Sequence, residues 1–285
     1  MSRFDTLKSR FDQFNIAEKI IVLNVVFFVI PFFIRTLFYL FNIPANSFFS
    51  FFELSPHIST FITQPWTLIT YGFLHGSIGH ILWNMLLLYY SSQFFLNLFS
   101  SSRFINVYFL GILTGGVLFL VSYFLFPVFK GQYPPLVGSS AGVMAILIFS
   151  CTYMPYQEVR ILFFNLKLMY LGIGLVVLDI LQIPTSNAGG HIAHLGGAFL
   201  GYIFASQLQK GNDIGVRFER LWRWLIKFVQ PTSKLKTVHR RKRSPKTAKF
   251  DDQQKIDAIL DKISASGYDS LTAKEKEFLF KSGKK

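Results

Sequence analysis

The 285-residue sequence contains a single cysteine, Cys151. One cysteine excludes an internal disulfide and the paired-cysteine motifs of zinc and redox sites. Charged residues are also scarce, at 15% of this chain against about 25% in ordinary soluble proteins. With 51% hydrophobic residues and a mean hydropathy of +0.39, this composition excludes an ordinary soluble domain.

Acidic residues are few, and the positive charge is concentrated in one region. The chain has 15 Asp and Glu against 29 Lys and Arg, and residues 210–249 alone hold thirteen of the basic residues and two of the acids. A basic segment that follows a membrane helix is typical of the cytoplasmic side of a membrane and of binding to anionic lipid. We therefore expect membrane lipid, and no nucleic acid, as its partner.

Six apolar segments predict membrane-spanning helices. A spanning helix needs roughly 20 mostly apolar residues, and the sequence meets or approaches this length at 20–41, 78–98, 104–127, 139–153, 167–184 and 189–208. The fourth span is short, since its length rises only about 22 Å against a hydrocarbon core of roughly 30 Å. One of its ends must stop inside the membrane, surrounded by protein or by a water-filled cavity.

The basic residues also predict the orientation. They lie mainly before the first span and after the sixth, and an even number of spans places both ends on one side. By the positive-inside rule that side is the cytoplasm. The first apolar segment lacks a small-residue cleavage pattern, which indicates a retained anchor rather than a signal peptide. We expect an integral membrane protein with both termini in the cytoplasm.

We expect four regions along the chain: a cytoplasmic N terminus over 1–19, a six-helix domain over 20–209, a basic interfacial helix and linker over 210–250, and a small helical domain over 251–285. Within the second region, residues 43–77 are too apolar for an aqueous loop and too interrupted to span, which predicts an embedded outer loop. The predicted fold class is all-α: a polytopic bundle of six transmembrane helices with a small cytoplasmic helical hairpin.

The last two regions carry their own signals. The basic segment has an apolar stripe at helical spacing, formed by Phe218, Leu221, Trp222, Leu225 and Val229. Such a stripe beside Lys and Arg predicts a helix that lies on the membrane surface. In the final region, Thr272 and Glu275 have the spacing of a helix capping box.

Polar residues inside membrane spans are costly and usually functional. The predicted topology places Ser140 at the sunken outer end of span four, His194 near the outer end of span six, and His80 with Asn84 near the outer end of span two. These segments lie far apart in sequence, yet they deliver their side chains to a similar depth. The sequence therefore predicts one site.

Each member of this site has a chemical role available. Unpaired N–H groups at a helix start favour an oxyanion beside Ser140, and a serine hydroxyl needs an adjacent base such as His194. His80 and Asn84 share one helix face and can both donate to the oxyanion. Gly138 allows close approach to the serine.

Small residues predict how two of these spans pack. Gly197 and Gly201 form a small-xxx-small face on span six, which can bring it close to span four. Arg35, near the end of span one, is expected to snorkel towards the membrane surface.

A metal site is an alternative, because His75, His80, His191 and His194 could supply ligands. No H-E-x-x-H motif accompanies them. Asp179 is the only acid within the predicted spans. It could orient a histidine, but we expect it to cap or pair near the outer end rather than to complete a catalytic triad. We therefore expect neither a metal nor another cofactor.

At these residues the chain resembles the rhomboid family of intramembrane serine proteases. The segment "HGSIGHILWNM" is similar to the second-helix signature and carries His75, His80 and Asn84, whereas "GSSAGVMA" is similar to the G-x-S motif and makes Ser140 the nucleophile. The segment "HIAHLGGAFLG" is similar to the last-helix motif and carries His194. The final region looks like a small domain appended to rhomboids of one bacterial group.

Two positions depart from the family pattern. Many members have Trp-Arg in the first loop, where this chain has Thr67 after Trp66. Many also have an aromatic residue four positions after the nucleophile, where this chain has Met144.

The resemblance implies a serine endopeptidase that cleaves transmembrane protein substrates through an acyl-enzyme. A non-proteolytic rhomboid-like protein that binds membrane helices, and a metal-binding transporter, remain as alternatives.

Overall fold

A computed structural model describes residues 3–44, 49–161, 163–216, 218–220 and 245–282. The described residues are mostly helical, at 75%. It divides into two compact units, Met1–Gln230 and Pro231–Lys285.

The first unit is built from helices, with one two-stranded hairpin. Its helices are α1 (Arg3–Gln13), α2 (Ile16–Leu40), α3 (Ile58–Thr63), α4 (Thr67–Thr70), α5 (Ile78–Leu98), α6 (Ser101–Leu125), α7 (Ser140–Tyr153), α8 (Leu168–Gln182) and α9 (Ala188–Gln209). Strands β1 (Glu158–Ile161) and β2 (Phe164–Lys167) pair antiparallel between α7 and α8.

Polar side chains at the helix starts explain where the long helices begin. Asn15 and Glu18 form a capping box at the start of α2. Ser77 Oγ accepts from the backbone N–H of His80 at 3.2 Å, and Ser100 Oγ accepts from that of Arg103 at 3.4 Å. Each contact satisfies one of the N–H groups that a helix start leaves unpaired.

Helix α7 lies at the centre of this unit and is buried over nearly its whole length. It packs against α9, α6 and α5, and its contact with α9 is the most extensive between elements of the described residues. Small residues permit this approach: a Cβ added at Gly142 would lie 2.9 Å from the Tyr108 ring on α6. Close van der Waals packing of this kind stabilises helix association where lipid removes the hydrophobic driving force.

Two of the described helices, α2 and α6, are long and apolar enough to cross a membrane. Helices α7 and α8 are apolar but shorter. Helices α5 and α9 have 21 and 22 residues, and the polar side chains and glycines that they carry lower their hydropathy. Length and composition alone thus support two spans, and the count of six remains a prediction.

The structure adds one element to the predicted helices, a hairpin between the fourth and fifth predicted spans. Its register pairs Glu158 with Lys167 and Ile161 with Phe164. Four-residue strands are too short to show a clear alternation of polar and apolar residues. The N-terminal segment, for which the sequence predicts only a cytoplasmic location, contains α1.

Arg35 forms an ion pair with Glu53. Its guanidinium donates to Glu53 Oε1 at 3.1 Å and lies 4.3 Å from the centre of the Phe49 ring. The snorkelling expected of Arg35 stays a prediction, and the structure adds an ion pair that joins α2 to the segment before α3.

The predicted embedded loop contains two short helices and a 3₁₀ turn over Tyr71–Phe73. Leu54 pairs with Leu136 through two backbone hydrogen bonds, of 3.2 and 2.8 Å. Since Leu136 shortly precedes α7, this pairing ties the loop to the segment that positions Ser140. Residues 45–48 of the predicted loop lie outside the described residues.

The second unit contains α10 (Pro245–Ser266), a 3₁₀ turn over Tyr268–Ser270 and α11 (Ala273–Ser282). The predicted capping box is confirmed, because the backbone N–H of Thr272 donates to Glu275 Oε2 at 2.7 Å. Hydrogen bonds from Thr272, followed by one from Lys262, lower the pKa of Glu275 to about 2. Most of the predicted interfacial helix and linker, residues 221–244, lies outside the described residues.

Candidate active site

Ser140 is the first residue of α7, and the backbone just before it is unusual. Gly138 has a φ of +128°, a conformation that side-chain-bearing residues rarely adopt. A Cβ at this position would also lie 2.8 Å from His80 Nε2. Only glycine therefore allows the chain to turn into α7 this close to the histidine. The first N–H groups of α7, including that of Ser140, have no acceptor within the helix.

The neighbouring Ser139 is placed differently from Ser140. Ser139 is fully buried, and its Oγ lies 3.2 Å from His75 Nε2. Burial, and then the proximity of His80, lowers the pKa of His75 to about 4, so this ring is neutral at neutral pH. Ser139 and His75 thus hold the start of α7 in position, whereas Ser140 is partly exposed.

A cavity of about 550 Å³ opens in front of Ser140. This volume is within the usual range for ligand pockets. Helices α5, α7, α8 and α9 contribute the polar side chains on its wall, and those of α9 come from the start of that helix. These side chains are His80, Asn84, Ser140, Asp179, Gln182, His191 and His194. The structure therefore brings together the four residues that the sequence assigns to nucleophile, base and oxyanion donors. His75 lies outside this cavity and lines a smaller one of about 310 Å³ beside Arg35.

His194 makes its closest polar contact with Asp179. Its Nδ1 lies 2.8 Å from Asp179 Oδ1, and Nδ1 of His191 lies 2.8 Å from the same oxygen. A carboxylate buried to this degree needs hydrogen-bond donors, and two imidazole Nδ1–H groups supply them. With both rings donating through Nδ1, Nε2 of His194 keeps the lone pair that a general base uses.

This contact agrees with the expectation that Asp179 pairs near the outer end of its helix, and it identifies two histidines of α9 as the partners. Asp179 is 7% exposed and lies three residues before the end of α8, where α8 faces the start of α9. The sequence signal was the single acid within an otherwise apolar span. The partner could not be identified because it lies on another helix.

His80 and Asn84 occupy the α5 wall of the cavity. The N–H of Gly76 approaches His80 Nδ1 at 3.5 Å, which leaves Nε2 as the protonated nitrogen. Asn84 Nδ2 donates to the carbonyl of His80 at 3.0 Å, and the amide has a second N–H to offer. Both residues can therefore present a donor to a negative charge that develops near Ser140.

Two glycines of α9 set the distance between the serine and the histidine. A Cβ at Gly197 would overlap the carbonyl oxygen of Ala141 and lie 2.7 Å from its carbonyl carbon. A Cβ at Gly201 would lie 3.0 Å from the backbone nitrogen of Phe149. Because Ala141 follows Ser140 and Gly197 lies one turn after His194, this contact carries the two side chains towards each other.

No hydrogen bond within 3.5 Å connects Ser140 to His194 among the contacts of the described residues. Catalytic hydrogen bonds are often long in the absence of substrate and shorten in the complex.

The two residues that depart from the family pattern are placed differently. Met144 lies on the cavity wall, whereas Thr67 is buried and donates to the carbonyl of Gln64 at 2.6 Å. Thr67 thus gives the loop a local contact where many relatives have arginine.

Comparisons with known proteins find similarities in two regions of the chain. A model of the rhomboid domain matches residues 63–210, and a family of unknown function, DUF6576, matches residues 246–284. The chain is 34% identical over 158 residues to "RHOMBOID-like protein 12, mitochondrial" of Arabidopsis thaliana, which covers 51% of this chain and 47% of that protein.

Animal relatives give a similar result at lower identity. "Presenilin-associated rhomboid-like protein A, mitochondrial" of Danio rerio is 29% identical over 173 residues, which cover 58% of this chain and 42% of that protein. The human "Presenilin-associated rhomboid-like protein, mitochondrial" is 29% identical over 147 residues, which cover 50% of this chain and 37% of that protein. The chain spans less than half of the length of each of these relatives. The rhomboid match covers just over half of the chain, which therefore belongs to the rhomboid family, an integral membrane family whose members are generally intramembrane serine proteases.

Proposed function

We propose that this protein is an intramembrane serine endopeptidase, with Ser140 as nucleophile and His194 as general base. The observation that carries the proposal is the single cavity that holds Ser140, His194, His80 and Asn84, contributed by three helices. Residues this far apart in sequence have no packing reason to place their polar atoms around one water-accessible space within an apolar bundle.

The reaction follows from the positions of these groups. His194 Nε2 takes the proton of Ser140 Oγ, and the oxygen attacks a peptide carbonyl to form a tetrahedral intermediate. His80, Asn84 and the N–H of Ser140 donate to the oxyanion, and each such donor typically contributes on the order of 10²–10³ in rate. The imidazolium then protonates the leaving amine, and water from the cavity hydrolyses the acyl-enzyme.

Asp179 acts as a positioning residue in this proposal. Its carboxylate accepts from His194 Nδ1, which fixes the tautomer of the ring and stabilises the imidazolium. Serine, histidine and aspartate thus have the roles of a triad on an α-helical membrane scaffold.

The substrates proposed are transmembrane proteins whose helices unwind near the outer surface. The cavity wall includes Trp83 on α5 and Leu178 on α8, and these side chains are 67% and 51% exposed on the outside of the bundle. A substrate helix in the lipid could reach the cavity between these two apolar side chains. The six-span topology, with both termini cytoplasmic and the cavity open to the outer side, belongs to the same proposal.

The proposed location is a bacterial inner membrane, with anionic lipid at the basic segment 210–250. The relatives described above carry mitochondrial names, so fractionation of the native cells or organelles is the measurement that decides between the two compartments. The appended unit that matches DUF6576 is proposed as a separate cytoplasmic domain.

Labelling by a fluorophosphonate probe tests the mechanism, because this probe reacts only with an activated serine. The wild-type chain should be labelled and should cleave a single-span model substrate. Ser140→Ala and His194→Ala should abolish both reactions in protein that still folds in membranes. Ser139→Ala is the matched control, since that serine contacts His75 outside the cavity, and it should retain labelling. Cleavage by both Ser140→Ala and His194→Ala would refute the mechanism.

A further inference from the structure

The cluster of Asp179, His191 and His194 has a feature that the proteolytic mechanism does not use, namely the second histidine. His191 is 9% exposed, and its Nδ1 contacts the same carboxylate oxygen as His194. The carboxylate oxygen and the two ring nitrogens all lie within 4.8 Å of one another. One histidine would be enough to complete a triad with Ser140.

We propose that this cluster binds a divalent first-row transition ion such as Zn²⁺, and that the bound ion inhibits the enzyme. Two imidazoles and one carboxylate form a common ligand set for such ions, and water from the cavity can complete the coordination. Zinc binds these atoms at about 2.0–2.2 Å in a tetrahedral arrangement, which places neighbouring ligand atoms roughly 3.3 Å apart. Asp179 Oδ1 is now 2.8 Å from each nitrogen, so a small outward movement of the rings makes room for the ion.

The position of the ligands on the helices favours such a site. His191 and His194 are three residues apart on α9, so they present their rings on one face. Asp179 reaches them from α8. Asp179 and His191 are largely buried, and both line the 550 Å³ cavity together with His194, so an ion can reach all three ligands through it.

Inhibition follows from the tautomer of His194. In catalysis Nδ1 carries the ring proton and donates a hydrogen bond to Asp179, which leaves the lone pair of Nε2 free to accept the proton of Ser140. A metal ion on Nδ1 requires the lone pair of that nitrogen, so the one proton of the neutral ring moves to Nε2. The ring then has no basic nitrogen for Ser140. The inhibition rests on the proposed function, whereas the binding of the metal does not.

Metal binding is best measured in the catalytically inactive Ser140→Ala background, with full-length protein in detergent and any histidine tag removed. Ser140→Ala protein should bind one equivalent of Zn²⁺ or Co²⁺, and the double variant Ser140→Ala/His191→Ala should lose that equivalent. The Co²⁺ complex should show visible d–d absorption without the charge-transfer band that a thiolate ligand from Cys151 would add. His57→Ala is the matched control for an exposed histidine and should bind as the parent does.

The functional arm compares fluorophosphonate labelling of the wild-type chain in Zn²⁺ and in chelator. Saturating Zn²⁺ should slow labelling by on the order of 10²-fold, the range that a general base contributes, and chelator should restore it. Absence of binding by Ser140→Ala, or equal binding by the double variant, would overturn the metal site. Binding that leaves wild-type labelling unchanged would overturn the inhibition. A wild-type chain that never reacts with the probe would overturn the proposed function and the inhibition with it, whereas binding by Ser140→Ala would still support the site.

Discussion

Replacement of Gly197 by alanine tests whether the contact between α7 and α9 positions the active site. The added Cβ would overlap the carbonyl oxygen of Ala141 and lie 2.7 Å from its carbonyl carbon and 2.9 Å from its Cα. These atoms belong to the backbone of a buried helix, so they cannot move aside as a flexible side chain does. The two helices must therefore separate.

The expected magnitude combines two opposing effects. An alanine in a helix is favoured over glycine by about 1 kcal/mol, whereas overpacking of a buried contact costs about 1–3 kcal/mol and occasionally more. Because the overlap here is with backbone, we expect the upper end of that range and a net destabilisation of about 2 kcal/mol. Separation of the helices also moves His194 away from Ser140. The rate of fluorophosphonate labelling should therefore fall even under conditions in which the variant remains folded.

Gly174 provides the matched control for this substitution. It lies inside α8, and a Cβ at that position would meet nothing within 4 Å. Gly174→Ala should therefore be neutral or stabilising by up to about 1 kcal/mol. Unfolding by sodium dodecyl sulfate in mixed micelles, followed by circular dichroism, measures stability, and fluorophosphonate labelling measures the site. Equal unfolding midpoints for Gly197→Ala and Gly174→Ala would refute the argument that this contact is tight.

Three further predictions concern the site and the appended unit. Asp179→Asn should slow fluorophosphonate labelling by on the order of 10²-fold or more, because a neutral amide no longer stabilises the imidazolium; Asp179→Glu should restore part of the rate, and an unchanged rate in Asp179→Asn would contradict the positioning role. Gly138→Ala should reduce cleavage of a model substrate strongly, because its Cβ would lie 2.8 Å from His80 Nε2 and its φ of +128° is strained for alanine; full cleavage by this variant would show that the ring can move. The lowered pKa of Glu275 should stabilise the second unit above pH 4.5, the ordinary value, and that contribution should be lost as the pH falls towards about 2; acid unfolding monitored in Glu275→Gln should lack this dependence.

Much of the helical framework could be predicted from local sequence. The apolar run at 78–98 has a serine immediately before it, and the structure shows a helix over Ile78–Leu98 with Ser77 as its cap. The capping box of Thr272 and Glu275 was equally visible, since two residues three positions apart carry the whole signal. Helix caps and apolar runs depend only on residues that are neighbours in the sequence, so they can be predicted from one sequence.

Features that depend on contacts between distant segments could not be predicted in the same way. Arg35 and Glu53 pair across a segment interrupted by proline and asparagine, and neither residue indicates its partner. The strands Glu158–Ile161 and Phe164–Lys167 are too short for a periodic pattern. In each case the deciding interaction is a contact across space.

In the two proposals Asp179 links catalysis to metal binding, and the two uses exclude each other. Catalysis requires the imidazole of His194 to donate Nδ1–H to the carboxylate, whereas metal binding requires the Nδ1 lone pairs of both His191 and His194. A protein molecule therefore has either a basic Nε2 on His194 or a coordinated ion, and the free concentration of the ion relative to its dissociation constant sets the active fraction. When the free concentration of the ion equals its dissociation constant, half of the molecules lack the base. Removal of His191 should abolish the sensitivity to metal while Asp179 keeps its contact with His194, so the second histidine is the residue on which this regulation depends.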